Sequence, residues 1–242
     1  MNFYHPGSIG DIIYTLPVII KYGGGNLFIL RRYHFEMLYR VLMAQSYIHG
    51  VKEHNKKREF GKFRLDVDFD NRDVWKDDNF RRQHITKCYA DFCDMTVNTE
   101  DAWLHNIEPK YKADIIVQRT YRYHDRRGTD WSDKKEVVDW RILQNYKEHV
   151  LFVGWRRDFL KFESRARFTP KRFICRDGLE FAQIIKGSKL FIGNQSLGFA
   201  LAESMKHPRI LEIYHARNNC LPCGEDGYTG TSHEIIQKYL QK

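Results

Sequence analysis

The chain has 242 residues and a formal net charge of +9, with 42% hydrophobic and 14% aromatic residues. That apolar content supplies a packed core and excludes a disordered chain, and no stretch reaches the roughly 18 apolar residues of a membrane span. The positive balance points to anionic partners (nucleotide, phosphorylated glycan, nucleic acid or anionic membrane surface) without choosing among them.

Met1–His5 reads as a short first strand, followed by the glycine-bearing loop Gly7-Ser8-Ile9-Gly10-Asp11. Ile9, Ile12, Ile13, Leu16, Ile19 and Ile20 form a helical stripe that predicts a helix over Ile9–Tyr22. Pro17 lies past its first turn and predicts a kink or a later helix start. Gly23-Gly24-Gly25 ends that helix, and Asn26–Leu30 reads as a buried-type strand. Phe35–Gln45 reads as a second helix, and Leu65–Phe69 alternates like a strand. This alternation of strand and helix argues for a parallel sheet. Asn71–Arg82 is polar and mixed in charge, Ile85–Met95 reads as a helix, and Glu108–Lys112 as a linker.

The second half repeats the rhythm. Strands are predicted at Asp114–Arg119, Val150–Gly154, Arg172–Cys175, Lys189–Gly193 and Arg209–Tyr214. Helices are predicted near Val137–Tyr146, Asp158–Glu163, Leu179–Lys186, Gly198–Met205 and Ser232–Leu240. Short connections between them suit a doubly wound sheet. The expected fold class is α/β: two Rossmann-like domains with parallel sheets flanked by helices, facing a central cleft. The expected boundaries are 1–112 and 113–242.

Ligands of open parallel sheets collect at the carboxyl ends of the strands. The most informative segment there is Leu190-Phe191-Ile192-Gly193-Asn194-Gln195-Ser196, which runs into the apolar helix ending Leu201-Ala202-Glu203-Ser204-Met205. A helix that opens this way offers free backbone N–H groups and a positive dipole end to a phosphate. Asn194, Gln195 and Ser196 add side-chain donors beside it. Arg119, Thr120 and Arg122 follow another strand and could join them in neutralising a pyrophosphate without a metal, or the two arginines could be surface charge. Near the start, Gly7 and Gly10 permit close backbone approach. Asp11 sits at a helix start, where it either caps the helix or takes a proton from an acceptor hydroxyl. The dipole makes it a weak base, sufficient where the leaving group is already good, as a nucleoside diphosphate is. Asp158 either accepts from ribose hydroxyls or serves as a helix N-terminal acid. The sequence contains neither a Walker A loop nor a full Gly-x-Gly-x-x-Gly.

The five cysteines do not make a closed disulfide framework. Cys220 and Cys223 form one CxxC, which is half a zinc site or, the favoured reading, a pair of free thiols in a Pro/Gly loop; Cys88 and Cys93 have the wrong spacing for the other half. The scattered histidines and carboxylates suggest no metal cluster. The N-terminus lacks a signal-peptide pattern, so a cytoplasmic protein is expected.

Gly7-Ser8-Ile9-Gly10-Asp11-Ile12-Ile13-Tyr14-Thr15-Leu16-Pro17 resembles the N-terminal loop of the heptosyltransferase-type glycosyltransferases, glycosyltransferase family 9. Ser188 to Ser196, through Ala202-Glu203 and Pro208-Arg209-Ile210, resembles their donor-binding loop and helix, and Gly154 to Phe162 their Gly-x-x-x-acid-x-x-x-Phe segment. The resemblance covers both ends and the second half; about Tyr33 to Lys112 carries none. It implies a GT-B fold, with an acceptor-side domain over 1–112 and a donor-side domain over 113–242. It implies inverting, metal-independent sugar transfer from a nucleotide-diphosphate donor to a hydroxyl of an anionic glycan or glycolipid, with no further cofactor. Asp11 falls on the catalytic base, Asp158 on the ribose-binding acid, and Asn194 to Gly198 on the donor-phosphate loop, with Thr120 and Arg122 near its other phosphate contacts; Ser8, Gly10 and Arg119 are further candidate donor- or substrate-binding residues. The family commonly has Asp-Ser/Thr-Gly and then a histidine three residues later; Gln195-Ser196-Leu197 and Ala200 stand at those positions.

Three function classes follow. The first is a glycosyltransferase, whose basic surface also allows peripheral contact with the inner membrane surface. The second is a catalytically degenerate nucleotide-sugar-binding or interaction protein on the same scaffold, suggested by the lost Asp and His. The third is nucleic-acid binding, which no helix-turn-helix, zinc-finger or RNP pattern supports.

Overall fold

The structure, a computed structural model, describes residues 1–54, 64–70, 83–120, 138–213 and 219–241. Its first half runs β1 (Asn2–His5), α1 (Ile9–Tyr14), α2 (Leu16–Lys21), β2 (Gly25–Ile29), α3 (Arg32–Met43), β3 (Ile48–Glu53), β4 (Val67–Asp68) and α4 (Ile85–Phe92). After β5 (Ala113–Gln118) come a 3-10 helix (Trp140–His149), β6 (Val150–Val153), α5 (Arg156–Ala166), β7 (Lys171–Phe173), α6 (Gly178–Lys186) and β8 (Ser188–Asn194). The chain closes with α7 (Leu197–Ser204), β9 (Arg209–Glu212), β10 (Gly227–Thr229) and α8 (His233–Leu240).

Two sheets result, in the orders β3-β2-β1-β4 and β10-β9-β8-β5-β6-β7. Every pairing is parallel. The expected parallel α/β architecture is therefore present. In each sheet the first strand is a switch point: the chain leaves β1 to one side through β2 and to the other through β4, and leaves β5 through β6 and later β8. Crevices open at such points, outside the carboxyl ends of the strands.

The helix expected over Ile9–Tyr22 is two helices. Thr15 separates them and donates its hydroxyl to the Ile12 carbonyl at 2.8 Å. Pro17 then falls in the first turn of α2, where its missing N–H costs no internal hydrogen bond. Gly24 (φ +93°) makes the turn into β2; a side chain there would meet the Tyr47 carbonyl at 2.5 Å. The predicted helix near Val137–Tyr146 is a 3-10 helix over Trp140–His149, capped by the Asp139 carboxylate on the Arg141 N–H.

One hydrophobic cluster joins the halves. Phe3, Ile12 and Leu38 from the first belong to the same buried group as Phe181, Phe191, Phe199 and Leu211 from the second. Helices α1 and α7 pack together, as do α3 and α6. Arg40 on α3 also pairs with Asp177, the cap of α6, at 2.8 Å. A second cluster, including Val117, Trp140, Phe152, Phe162 and Ile192, fills the other face of the larger sheet.

Candidate active site between the two sheets

A cleft of about 710 Å³ lies where the switch points meet. The β1–α1 loop, Pro6 to Asp11, forms one wall with Tyr14. Arg31, Tyr33, Glu36 and Met37 of the α3 end extend it. Opposite stand Gln118 at the end of β5 and Thr120 just past it, Trp155 and Asp158 after β6, Ile174 to Arg176 after β7, and Gln195 to Leu197 after β8.

Of the residues singled out in the sequence, Ser8, Gly10, Asp11, Thr120, Asp158, Gln195 and Ser196 line this cleft. Asp11 does cap α1: its Oδ2 accepts the Ser8 N–H at 3.2 Å. It nevertheless stays on the cleft wall, one turn before Tyr14. Gly10 faces α7, where a Cβ would sit in ordinary contact, 3.7 Å from that of Ala200.

Arg119, Asn194 and Gly198 are absent from the wall. Arg119 is buried, with its guanidinium on Glu212 at 2.9 and 3.2 Å. The Trp140 indole N–H also donates to that carboxylate, at 3.0 Å. An ion pair this deeply desolvated holds β5 to β9 and leaves the arginine turned away from the cleft. The reading of Arg119 as a phosphate contact therefore gives way to a structural one. Asn194 is also buried: its Oδ1 accepts from the N–H and hydroxyl of Thr120 at 3.1 and 3.3 Å, and its Nδ2 donates to the Thr120 carbonyl at 2.7 Å. It staples the ends of β5 and β8 and also engages the hydroxyl that Thr120 was expected to offer. Arg122 lies outside the described residues.

Gly198 has a packing role. A Cβ there would meet Gln118 Oε1 at 2.4 Å and Phe181 Cζ at 2.6 Å. Gln118 itself received no role in the sequence reading, although it ends β5 at the switch point. Its Oε1 accepts from the Ser196 hydroxyl at 2.6 Å and from the Gly198 N–H at 2.9 Å. Two donors expected to face a phosphate thus face Gln118. Also missed were Trp155, 61% exposed beside the strand exit, and the cleft arginines Arg31 and Arg176. An aromatic directly after a strand-ending glycine was the available signal for Trp155.

Tyr14 and Cys220 both line the cleft, near the buried polar residues His84 and Glu203. Burial, with Asp11 close by, pushes the Cys220 thiol up to about 12, so it stays protonated at neutral pH and is no nucleophile. All five cysteines are free thiols. His84, Glu203 and Cys223 approach one another closely enough to share a cation. Glu203, however, already accepts from Lys206 at 2.5 Å, from the Cys223 N–H at 3.1 Å and from Arg209 Nε. The Lys206 ammonium also donates to the carbonyls of Thr99 and Cys223 at 2.6 and 3.0 Å. A metal ion here would have to displace that ammonium against the repulsion of Arg209.

No protein-family model and no curated protein matches the sequence. Solved structures match the fold over essentially the whole chain. Heptosyltransferase WaaC from E. coli, with ADP-2-deoxy-2-fluoro heptose, matches with a TM-score of 0.60 at 10% identity, over 99% of this chain and 98% of that one. The glycosyl transferase family 9 protein from Veillonella parvula DSM 2008 matches with a TM-score of 0.62 at 15% identity, over 100% and 88%. The iron-containing dodecameric glycosyltransferase TibC from enterotoxigenic E. coli H10407 matches with a TM-score of 0.57 at 13% identity, over 87% of this chain and 56% of that one. The chain thus has the GT-B type of fold that the sequence resemblance implied.

Proposed function

We propose that the protein is a glycosyltransferase that moves a sugar from a nucleoside-diphosphate donor to a hydroxyl acceptor. The observation that carries this reading is the cleft itself, in which the Asp11 loop of one sheet faces the Ser196 loop of the other across a space of about 710 Å³. WaaC, which shares the fold, has been solved with ADP and with an ADP-sugar analogue.

In this reading the diphosphate lies toward Gln118, Ser196 and the start of α7. The exposed Trp155 indole offers its face to the nucleobase, and Asp158 accepts from the ribose. Asp11 takes the proton of the acceptor hydroxyl as that oxygen attacks the anomeric carbon. The bond from that carbon to the diphosphate oxygen breaks, the configuration inverts, and the electron pair leaves with the nucleoside diphosphate. Metal independence belongs to the proposal as what the family resemblance implies; the group His84, Glu203 and Cys223 is not on the cleft wall. The acceptor class proposed is an anionic glycan or glycolipid, met in the cytoplasm or at the inner membrane surface. Among the described residues no helix is long and apolar enough to cross a membrane.

A second reading, a binding protein without turnover, is favoured by the capping bond of Asp11 and by the internal engagement of Arg119 and Asn194. One experiment separates the two. Binding of ADP, UDP, GDP and CDP is measured by thermal shift with EDTA and with magnesium, followed by product formation with wild type and Asp11→Asn. The asparagine oxygen can still cap Ser8, so binding is expected to persist while transfer falls by at least about 100-fold, the scale of lost general-base catalysis. Transfer that survives unchanged in Asp11→Asn would remove the base assignment. Binding without any product from wild type would favour the second reading, and no binding at all would sink both.

A further inference from the structure

We propose that Gln118 is the residue through which the positive end of α7 reaches an anionic ligand, acting as a neutral donor placed between the helix and the cleft. This rests on the reading of the cleft as a nucleoside-diphosphate site.

The geometry fixes the orientation of the amide. A backbone N–H can only donate, so the atom 2.9 Å from the Gly198 nitrogen is the amide oxygen. The Ser196 hydroxyl donates to the same oxygen at 2.6 Å. Gly198 is what lets the amide dock, because a Cβ would stand 2.4 Å from that oxygen. The amide nitrogen is therefore directed away from the helix. It makes no hydrogen bond with any described residue, and Gln118 lines the cleft.

Of the other donors expected from the sequence, Arg119 is engaged with Glu212, and the Thr120 N–H and hydroxyl with Asn194; Gln195 stays on the cleft wall, and Arg122 lies outside the described residues. Two hydrogen bonds accepted from a helix N-terminus polarise the amide, and such chains strengthen the outer donor. The Gln118 Nε2 group thus offers two N–H donors where the sequence had placed backbone N–H groups and a cation.

The opposite reading makes Gln118 a plug that competes with phosphate for Gly198 and Ser196. Gln118→Met decides between them, since methionine matches the length and carries no donor and only a weak acceptor. Affinities for ADP and for inorganic pyrophosphate are measured by calorimetry, together with the thermal midpoint of the unliganded protein. The expected result is a loss of about tenfold or more in affinity for both anions, the scale of a hydrogen bond to a charged group. Gln118→Glu keeps an acceptor for Gly198 and Ser196, so it is expected to restore the unliganded midpoint without restoring anion affinity, even at salt that screens its added charge. Tighter binding in Gln118→Met would establish the plug and overturn the proposal. So would unchanged affinity, or recovery of affinity along with stability in Gln118→Glu. Wild type binding pyrophosphate but no nucleoside diphosphate would end the nucleotide reading and leave the Gln118 question to be decided with pyrophosphate. Wild type binding neither anion would overturn both.

Discussion

Arg119 shows how residue type and position can suggest one chemistry while surroundings impose another. An arginine just beyond a strand at a switch point is well placed for a phosphate. Here it lies under the sheet with Glu212, and both side chains are essentially inaccessible. Removing one partner strands the other charge in the interior, which costs about 3–5 kcal/mol. Arg119→Leu is therefore expected to lower stability on that scale in denaturant titration, while the folded fraction binds ADP as wild type does. A variant of normal stability with weakened ADP binding would return Arg119 to the ligand. Asp11 differs because its two readings coexist: one carboxylate oxygen caps α1, and the residue remains on the cleft wall. Nothing in one dimension separates these arginine and aspartate cases, since both lie within two residues of a strand or helix end.

Among the elements, the N-terminus of α7 interlocks with the end of β5 through Gly198 and Gln118. Alanine normally replaces helical glycine with a gain of up to about 1 kcal/mol. Gly198→Ala is expected to reverse that sign, because the added methyl overlaps Gln118 Oε1, Phe181 and Phe191. Overpacking of this kind costs about 1–3 kcal/mol, and a thermal midpoint at or above that of wild type would refute the interlock. Elements with strong periodicity were legible in the sequence: β5, β8, α6 and α7 lie within a residue or two of their expected positions. The strands not anticipated, β3 and β10, are both at sheet edges. In β3 only Ile48 and Val51 are buried, and β10 has three residues and no buried one. A strand covered on one side needs few apolar residues, so it leaves little pattern to read.

The whole molecule adds a pH dependence. Burial pushes His5, His84 and His207 down from 6.5 to about 3, helped by His34 beside His5, by Lys206 beside His84 and by Lys186 beside His207. These side chains are neutral in the folded protein and take up protons near pH 6.5 on unfolding. Between pH 6.5 and 3 the unfolded chain binds more protons, so stability falls as pH falls, by up to about 1.4 kcal/mol per pH unit for each histidine. The carboxylates held low by partners, Asp114 by His149 and Asp139 by Arg141, act in the same direction only below about pH 4. Urea midpoints measured from pH 7.5 to 5 are thus expected to drop steadily below 6.5, and a flat profile over that range would refute the buried neutral state. Much of the excess positive charge of the chain is carried by residues such as Lys56, Lys57, Arg58 and Lys62, outside the described residues.

The sequence by itself determined the alternation of strands and helices, the parallel α/β class, and the loops at strand ends that carry Asp11, Asp158 and Ser196. Those properties follow from burial along single elements, and burial leaves a period in the chain. Only the tertiary structure decided which polar groups still face the cleft. Gln118 meets Gly198 across 80 residues and Arg119 meets Glu212 across 93, and those meetings direct one amide toward the cleft and remove one guanidinium from it. Hydrogen-bonding groups choose partners by distance and direction in space, a choice that leaves no period in the sequence.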